Sequence, residues 1–78
     1  MPKTDPQDIL LDVRGLPPPE PLERVLDALD TLLSGQRLRM LVDREPRPLY
    51  RILDANGHRF QAKSLADGSF EILIWPAS

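Results

Sequence analysis

From Leu11 to Pro21 the chain reads Leu-Asp-Val-Arg-Gly-Leu-Pro-Pro-Pro-Glu-Pro, and no other stretch limits the fold so tightly. Pro17, Pro18 and Pro19 have no backbone N–H, so neither a helix interior nor a central strand can run through them. The apolar residues just before, 9–13, predict a short strand with Asp12 near its end. Arg14-Gly15 breaks that strand, because Gly15 can take a positive φ that a Cβ disfavours. Three prolines in a row predict an extended polyproline II segment that stiffens the turn. Pro21 suits the first turn of a helix, where its missing donor has no partner to lose. Glu20 and Glu23 place negative charge at the favourable end of the helix dipole.

The helix itself is predicted over 21–33. Leu22, Val25, Leu26, Leu29, Leu32 and Leu33 recur at spacings of three and four and line one face, while Glu23, Arg24, Asp27, Asp30 and Thr31 fall elsewhere. Ser34-Gly35 is expected to end it, with Gly35 as a left-handed cap. Residues 37–43 then alternate: Leu38, Met40 and Val42 point one way, and Arg37, Arg39, Leu41 and Asp43 the other. The opening grammar now repeats. A strand ends in Asp43-Arg44, prolines follow at 46 and 48, and a helix carries Leu49, Ile52 and Leu53 with Tyr50 beside them. Asn56-Gly57 closes it. The remainder is a hairpin. Strand 59–65, with Phe60 and Ala62 on one face, leads through an Asp67-Gly68 turn to strand 70–75. Phe70, Ile72 and Ile74 face inward there, Glu71, Leu73 and Trp75 face outward, and Pro76 stops the run.

The element order is βαβαββ. This predicts the α+β class: a two-layer α/β sandwich with a four-stranded mixed sheet and two helices on one face. A right-handed crossover makes the first two strands parallel. The open face of the sheet would carry Arg37, Arg39, Leu41, Leu73 and Trp75, a partly apolar set that suits a contact surface or, the preferred reading for a monomer, the ordinary mixture of a sheet surface. With 78 residues, 41% of them apolar, the chain makes one small domain over 8–78, preceded by a flexible polar arm over 1–7. It has no cysteine, so disulfides, thiolate metal sites and thiol nucleophiles are excluded within it. The net charge of −2 offers no broad phosphate-binding footprint, which argues against nucleic acid. No apolar run approaches bilayer length and the first residues do not form a secretory leader, so no membrane association and a cytoplasmic location are expected.

The element order and the first loop together resemble the TusA/SirA-like sulfur carriers. The motif of that family is a strand, an Asp-x-Arg-Gly-Leu turn and a Cys-Pro-x-Pro segment opening the first helix. Here the matching residues are Asp12, Arg14, Gly15 and Leu16, then Pro18-Pro19-Glu20-Pro21. Pro18 stands where those carriers have cysteine, and a persulfide needs a thiolate that proline cannot supply. The chain is similar in still more detail to DUF2249, a family of short uncharacterised bacterial proteins. It shares with them Asp-x-Arg-Gly-Leu-x-Pro-Pro-Glu-Pro and the second segment Asp43-Arg44-Glu45-Pro46-x-Pro48-Leu49-Tyr50. Such domains occur alone or fused to modules such as hemerythrin-like ones, often in bacteria that handle nitrogen oxides. The resemblance implies a fold and a cellular neighbourhood, not a reaction.

Parallel βαβ units bring the carboxyl ends of strands and the first turns of helices to one edge. Asp12, Arg14, Pro18, Glu20, Asp43, Arg44, Glu45, Arg47 and Tyr50 are therefore the candidate binding residues. Two helix N-termini with Arg14, Arg44 and Arg47 suit a small anion or a partner's carboxylate, although Pro19, Pro21, Pro46 and Pro48 remove donors. The alternative is a structural network, with Asp12–Arg44 or Asp43–Arg14 pinning the loops together. Glu20 and Glu45 are read as dipole partners rather than an acid–base pair. His58 has no companions for a metal site. Trp75 suits either a stacking platform or a cover for the sheet edge. The expectation is a non-catalytic binding or accessory module, without cofactor, that takes a protein partner or a small anion. Its rival is an accessory component of a sulfur-transfer or nitrogen-oxide pathway that works through a partner enzyme. RNA binding rests on fold analogy alone.

Overall fold

The computed structural model describes residues 8–33 and 35–76, and the elements follow the expected order: β1 (Asp8–Asp12), α1 (Glu20–Asp30), β2 (Arg37–Val42), α2 (Arg47–Ala55), β3 (His58–Ser64) and β4 (Phe70–Pro76). One four-stranded sheet has the order β1-β2-β4-β3. β1 and β2 run parallel, with Asp8 opposite Arg37 and Asp12 opposite Leu41. β4 is antiparallel to both of its neighbours. The two-layer sandwich is thus the architecture of the chain.

Alternation decides what is buried. Leu38, Met40 and Val42 of β2 and Ile72 and Ile74 of β4 face the helices and are buried. Val25 and Leu29 of α1 and Leu49 and Leu53 of α2 close over them. Each such aliphatic side chain contributes about 1.5–3 kcal/mol on leaving water, so this small cluster dominates the stability of a domain with little other interior. Among the described residues the opposite face of the sheet has no helix. There, charges settle in cross-strand pairs: Arg37 with Asp8 at 2.8 Å, and Arg39 with Glu71.

Several local expectations need correction. The triproline segment does not extend; it turns, with a cis peptide between Pro18 and Pro19. α1 stops at Asp30 rather than 33. Thr31 ends it, its N–H and its Oγ1 both bonded to the Ala28 carbonyl, and the Leu33 N–H is held at 2.7 Å by Gln36 Oε1 instead of continuing the helix. Leu33, expected on the core face, is consequently 68% exposed. Gly35 does have a positive φ, 87°, but in the link to β2 rather than at the helix cap. Ser34 and the arm 1–7 lie outside the described residues. Pro76 does not stop β4 but is its last residue, opposite His58, which already belongs to β3. The other strand boundaries shift by one residue.

Candidate functional site

Three connections converge on one edge of the sheet: residues 13–19 after β1, residues 43–46 after β2, and the β3–β4 turn. The first two are the repeated strand–turn–proline–helix segments, and the parallel register of β1 and β2 brings them side by side. Between them lies a cleft of about 700 Å³. Its floor is aliphatic: the buried core residues Val13, Val42 and Leu49, with the half-buried Leu16 and Leu22 packed against them. Its walls are proline, at positions 17, 18, 19, 21, 46 and 48, and Asp43, Arg44 and Glu45 stand along one rim.

The ion pairs differ from those expected. Asp12 does not reach Arg44; it takes Arg14 in a two-pronged pair, with Nε at 2.9 Å and Nη2 at 2.8 Å, and also accepts the Arg14 backbone N–H at 3.1 Å. A side chain two residues away reaches the carboxylate within the same turn, before any partner from another loop. These hydrogen bonds lower the Asp12 pKa to about 2 and raise that of Arg14. Asp43 does not pair directly with Arg14. Its Oδ2 accepts the Gly15 N–H at 2.6 Å, and this bond joins the two loops. Gly15, with φ 83°, presents that N–H from a conformation that a Cβ would strain.

Arg14 also approaches Asp67 of the hairpin turn at 3.6 Å, which links the third connection to the first. The Asp67 pKa is lowered chiefly by the Ser69 hydroxyl and N–H, with Arg14 adding less. Nothing in the sequence signals this long-range partnership, since Asp67 reads simply as a turn residue. Glu45 accepts from Arg47 and from the Tyr50 hydroxyl, each at 3.3 Å. Tyr50 is stacked on Phe60, ring centroids 4.4 Å apart, and its pKa is pushed up to about 12, first by burial and then by the Glu45 charge. Glu20 turns to Arg24 along α1.

Of the candidate residues, Pro18, Asp43, Arg44 and Glu45 line the cleft. Asp12, Arg14, Glu20, Arg47 and Tyr50 stand outside it and order its surroundings. The Arg44 guanidinium has no hydrogen-bond or ion-pair partner among the described residues. The apolar floor carried a signal in the sequence, because Leu16, Leu22 and Leu49 flank both proline segments. A reading weighted toward charge passes over it.

Donor accounting decides what the cleft can hold. At the opening of α1 the Glu20 N–H is bonded to the Pro17 carbonyl, Pro21 has none, and the Glu23 N–H is bonded to the Pro19 carbonyl. At the opening of α2 the Arg47 N–H goes to the Glu45 carbonyl, Pro48 has none, and the Leu49 N–H goes to the Pro46 carbonyl. An anion site at a helix N-terminus needs free N–H groups, and here most are bonded or missing. The arrangement therefore suits an apolar group better than a free anion.

A family model described as an uncharacterised conserved protein, DUF2249, matches residues 10–76. The fold is similar to the crystal structure of a SirA-like protein from Desulfitobacterium hafniense, with 24% sequence identity, a TM-score of 0.75, and coverage of 83% of this chain and 92% of that one. No curated protein matches the sequence.

Proposed function

Starting from the fact that the chain belongs to the uncharacterised conserved family DUF2249, we propose that it is a non-catalytic binding module. Its cleft takes an apolar side chain or short apolar segment of a partner protein, and Arg44 meets a carboxylate beside that segment. The observation that carries this reading is the lining of the cleft: proline walls and an aliphatic floor, with an Arg44 at the rim that has no partner among the described residues. Burying one leucine-sized group gives about 1.5–3 kcal/mol. A solvent-exposed ion pair gives about 0.2–1 kcal/mol. The apolar contact thus supplies most of the affinity and Arg44 sets the direction of approach.

The resemblance to sulfur carriers fits the same reading. Pro18 occupies the position of their cysteine and lines the cleft, so the place of recognition persists without the thiol. An accessory role beside a partner enzyme is one form that such recognition takes.

The test is a photoreactive phenylalanine analogue at Pro17, an exposed wall residue, in cells that produce the protein. The expected result is a small number of defined protein adducts, reduced several-fold by Arg44→Glu and absent when the same analogue replaces Gln61 on β3. No adduct from position 17, or the same adducts from both positions, defeats the proposal.

A further inference from the structure

Ile9 is 39% exposed, Leu10 61% and Leu33 68%, the large hydrophobic side chains left open among the described residues. Ile9 and Leu10 are neighbours on β1, where alternation puts them on opposite faces of the sheet, and Leu33 lies in the connection that enters β2. β1 is a terminal strand. Leu33 accepts from the Gln36 N–H just before Arg37, and Arg37 is the cross-strand partner of Asp8. Two adjacent open aliphatic side chains on a terminal strand are what an unguarded edge presents.

Among the described residues no strand lies beyond β1 on the side away from β2. The Val13 N–H reaches the Leu41 carbonyl at 2.9 Å, so residues of that parity, Ile9 and Leu11, direct their N–H and C=O toward β2. Strand alternation then sends those of Asp8, Leu10 and Asp12 away from the sheet. The other edge is guarded. β3 sets Arg59, Gln61 and Lys63 along its outer face, the charged surface that natural edge strands use against pairing. β1 has no lysine, arginine or proline: it reads Asp-Ile-Leu-Leu-Asp. Its carboxylates are neutralised within the chain, Asp8 by Arg37 and Asp12 by Arg14, each at 2.8 Å.

We propose that β1 pairs antiparallel with β1 of a second copy, about a two-fold axis at Leu10, to give one continuous eight-stranded sheet. The strand is its own complement. Reversed, it is still acidic at both ends and apolar at the three positions between. Leu10 meets Leu10, and Ile9 meets Leu11. The outward N–H and C=O groups of Asp8, Leu10 and Asp12 form the ladder. Asp8 approaches Asp12 of the other copy without repulsion, because each already holds an arginine. This self-matching favours a second copy over an unrelated strand. Two five-residue strands make a small contact, in the class of transient interfaces below about 1,200 Å², so the association is weak and reversible.

The test is sedimentation velocity of the full chain from micromolar to millimolar concentration, with amide hydrogen exchange over the same range. The mass should rise from one chain to two and stop there, while the Leu10 and Asp12 amides gain protection in step. Leu10→Lys should keep the circular dichroism spectrum and raise the dimer dissociation constant at least about tenfold, through like charges placed opposite each other. Gln61→Lys on β3 should not. If Leu10→Lys loses its fold, Ile9→Thr at the neighbouring exposed site gives the same reading. A single-chain mass throughout, growth past two chains, or a dimer indifferent to these substitutions overturns the proposal. So does protection of Leu10 and Asp12 in the monomer, which would show that the chain covers its own edge.

Discussion

Replacing Asp43 with alanine removes the acceptor that joins the two proline loops. Its Oδ2 takes the Gly15 N–H at 2.6 Å, across the mouth of the cleft. A hydrogen bond to a charged group is worth about 1.5–3 kcal/mol when water cannot replace it. Here both residues are exposed, so water hydrates the released N–H and the cost falls to about 1 kcal/mol. For a domain of this size that lowers Tm by about 4–8 °C. Asp43→Asn keeps an acceptor without the charge and should recover roughly half of the loss. Urea denaturation followed by circular dichroism measures both variants. The slope should be unchanged, because the loops detach without altering the surface exposed on unfolding. Hydrogen exchange at Gly15 supplies the local readout and should accelerate in Asp43→Ala. If the alanine variant melts within about 2 °C of the parent and Gly15 exchanges at the same rate, this bond does not join the loops.

Two further outcomes concern titration. The chain has a single tyrosine, so tyrosinate absorbance reports Tyr50 alone; its midpoint should lie near 12 in the folded protein and return to the ordinary 10.0 in urea. A raised folded pKa means that this contribution to stability is complete below 10.0 and is lost as pH climbs through about 12, so the alkaline unfolding midpoint should rise when Tyr50 is replaced by phenylalanine. Asp12 behaves oppositely. Its folded pKa is depressed to about 2, so its contribution is present above the ordinary 3.8 and lost as pH falls through about 2. Carboxyl carbon NMR of Arg14→Ala should show Asp12 moving back toward 3.8, and an unmoved Asp12 would remove Arg14 as the cause.

The layers of this fold are written in periodicities that survive any context. Leu38, Met40 and Val42 alternate, and Val25 and Leu29 recur on one helical face; each pattern has one way to be buried. The edge where the two loops meet follows from connectivity alone. Partner choice does not. Asp12 settles on Arg14 because two residues of turn geometry bring them together, and Arg14 reaches Asp67 only because β4 lies beside β2. The end of α1 was equally hidden, since the Thr31 hydroxyl and the Gln36 amide compete with further turns for the same backbone groups. The sequence marks the loop edge as a charged place and gives no sign of the cleft between its loops. Prolines at a helix start read as missing donors, yet here they are also the apolar walls.

Those walls have a practical corollary for spectroscopy. Pro17, Pro18, Pro19, Pro21, Pro46 and Pro48 yield no amide resonance, so contact with the walls themselves is silent in the usual nitrogen–proton correlation map, which reports a seated molecule only through rim and floor amides such as those of Gly15, Asp43 and Arg44. The informative nuclei are instead the methyl groups of Leu16, Leu22 and Leu49 beneath it. A screen that watches amides alone would see the rim, and one that adds leucine methyls would see the floor and so tell a seated molecule from one that only brushes the charged edge.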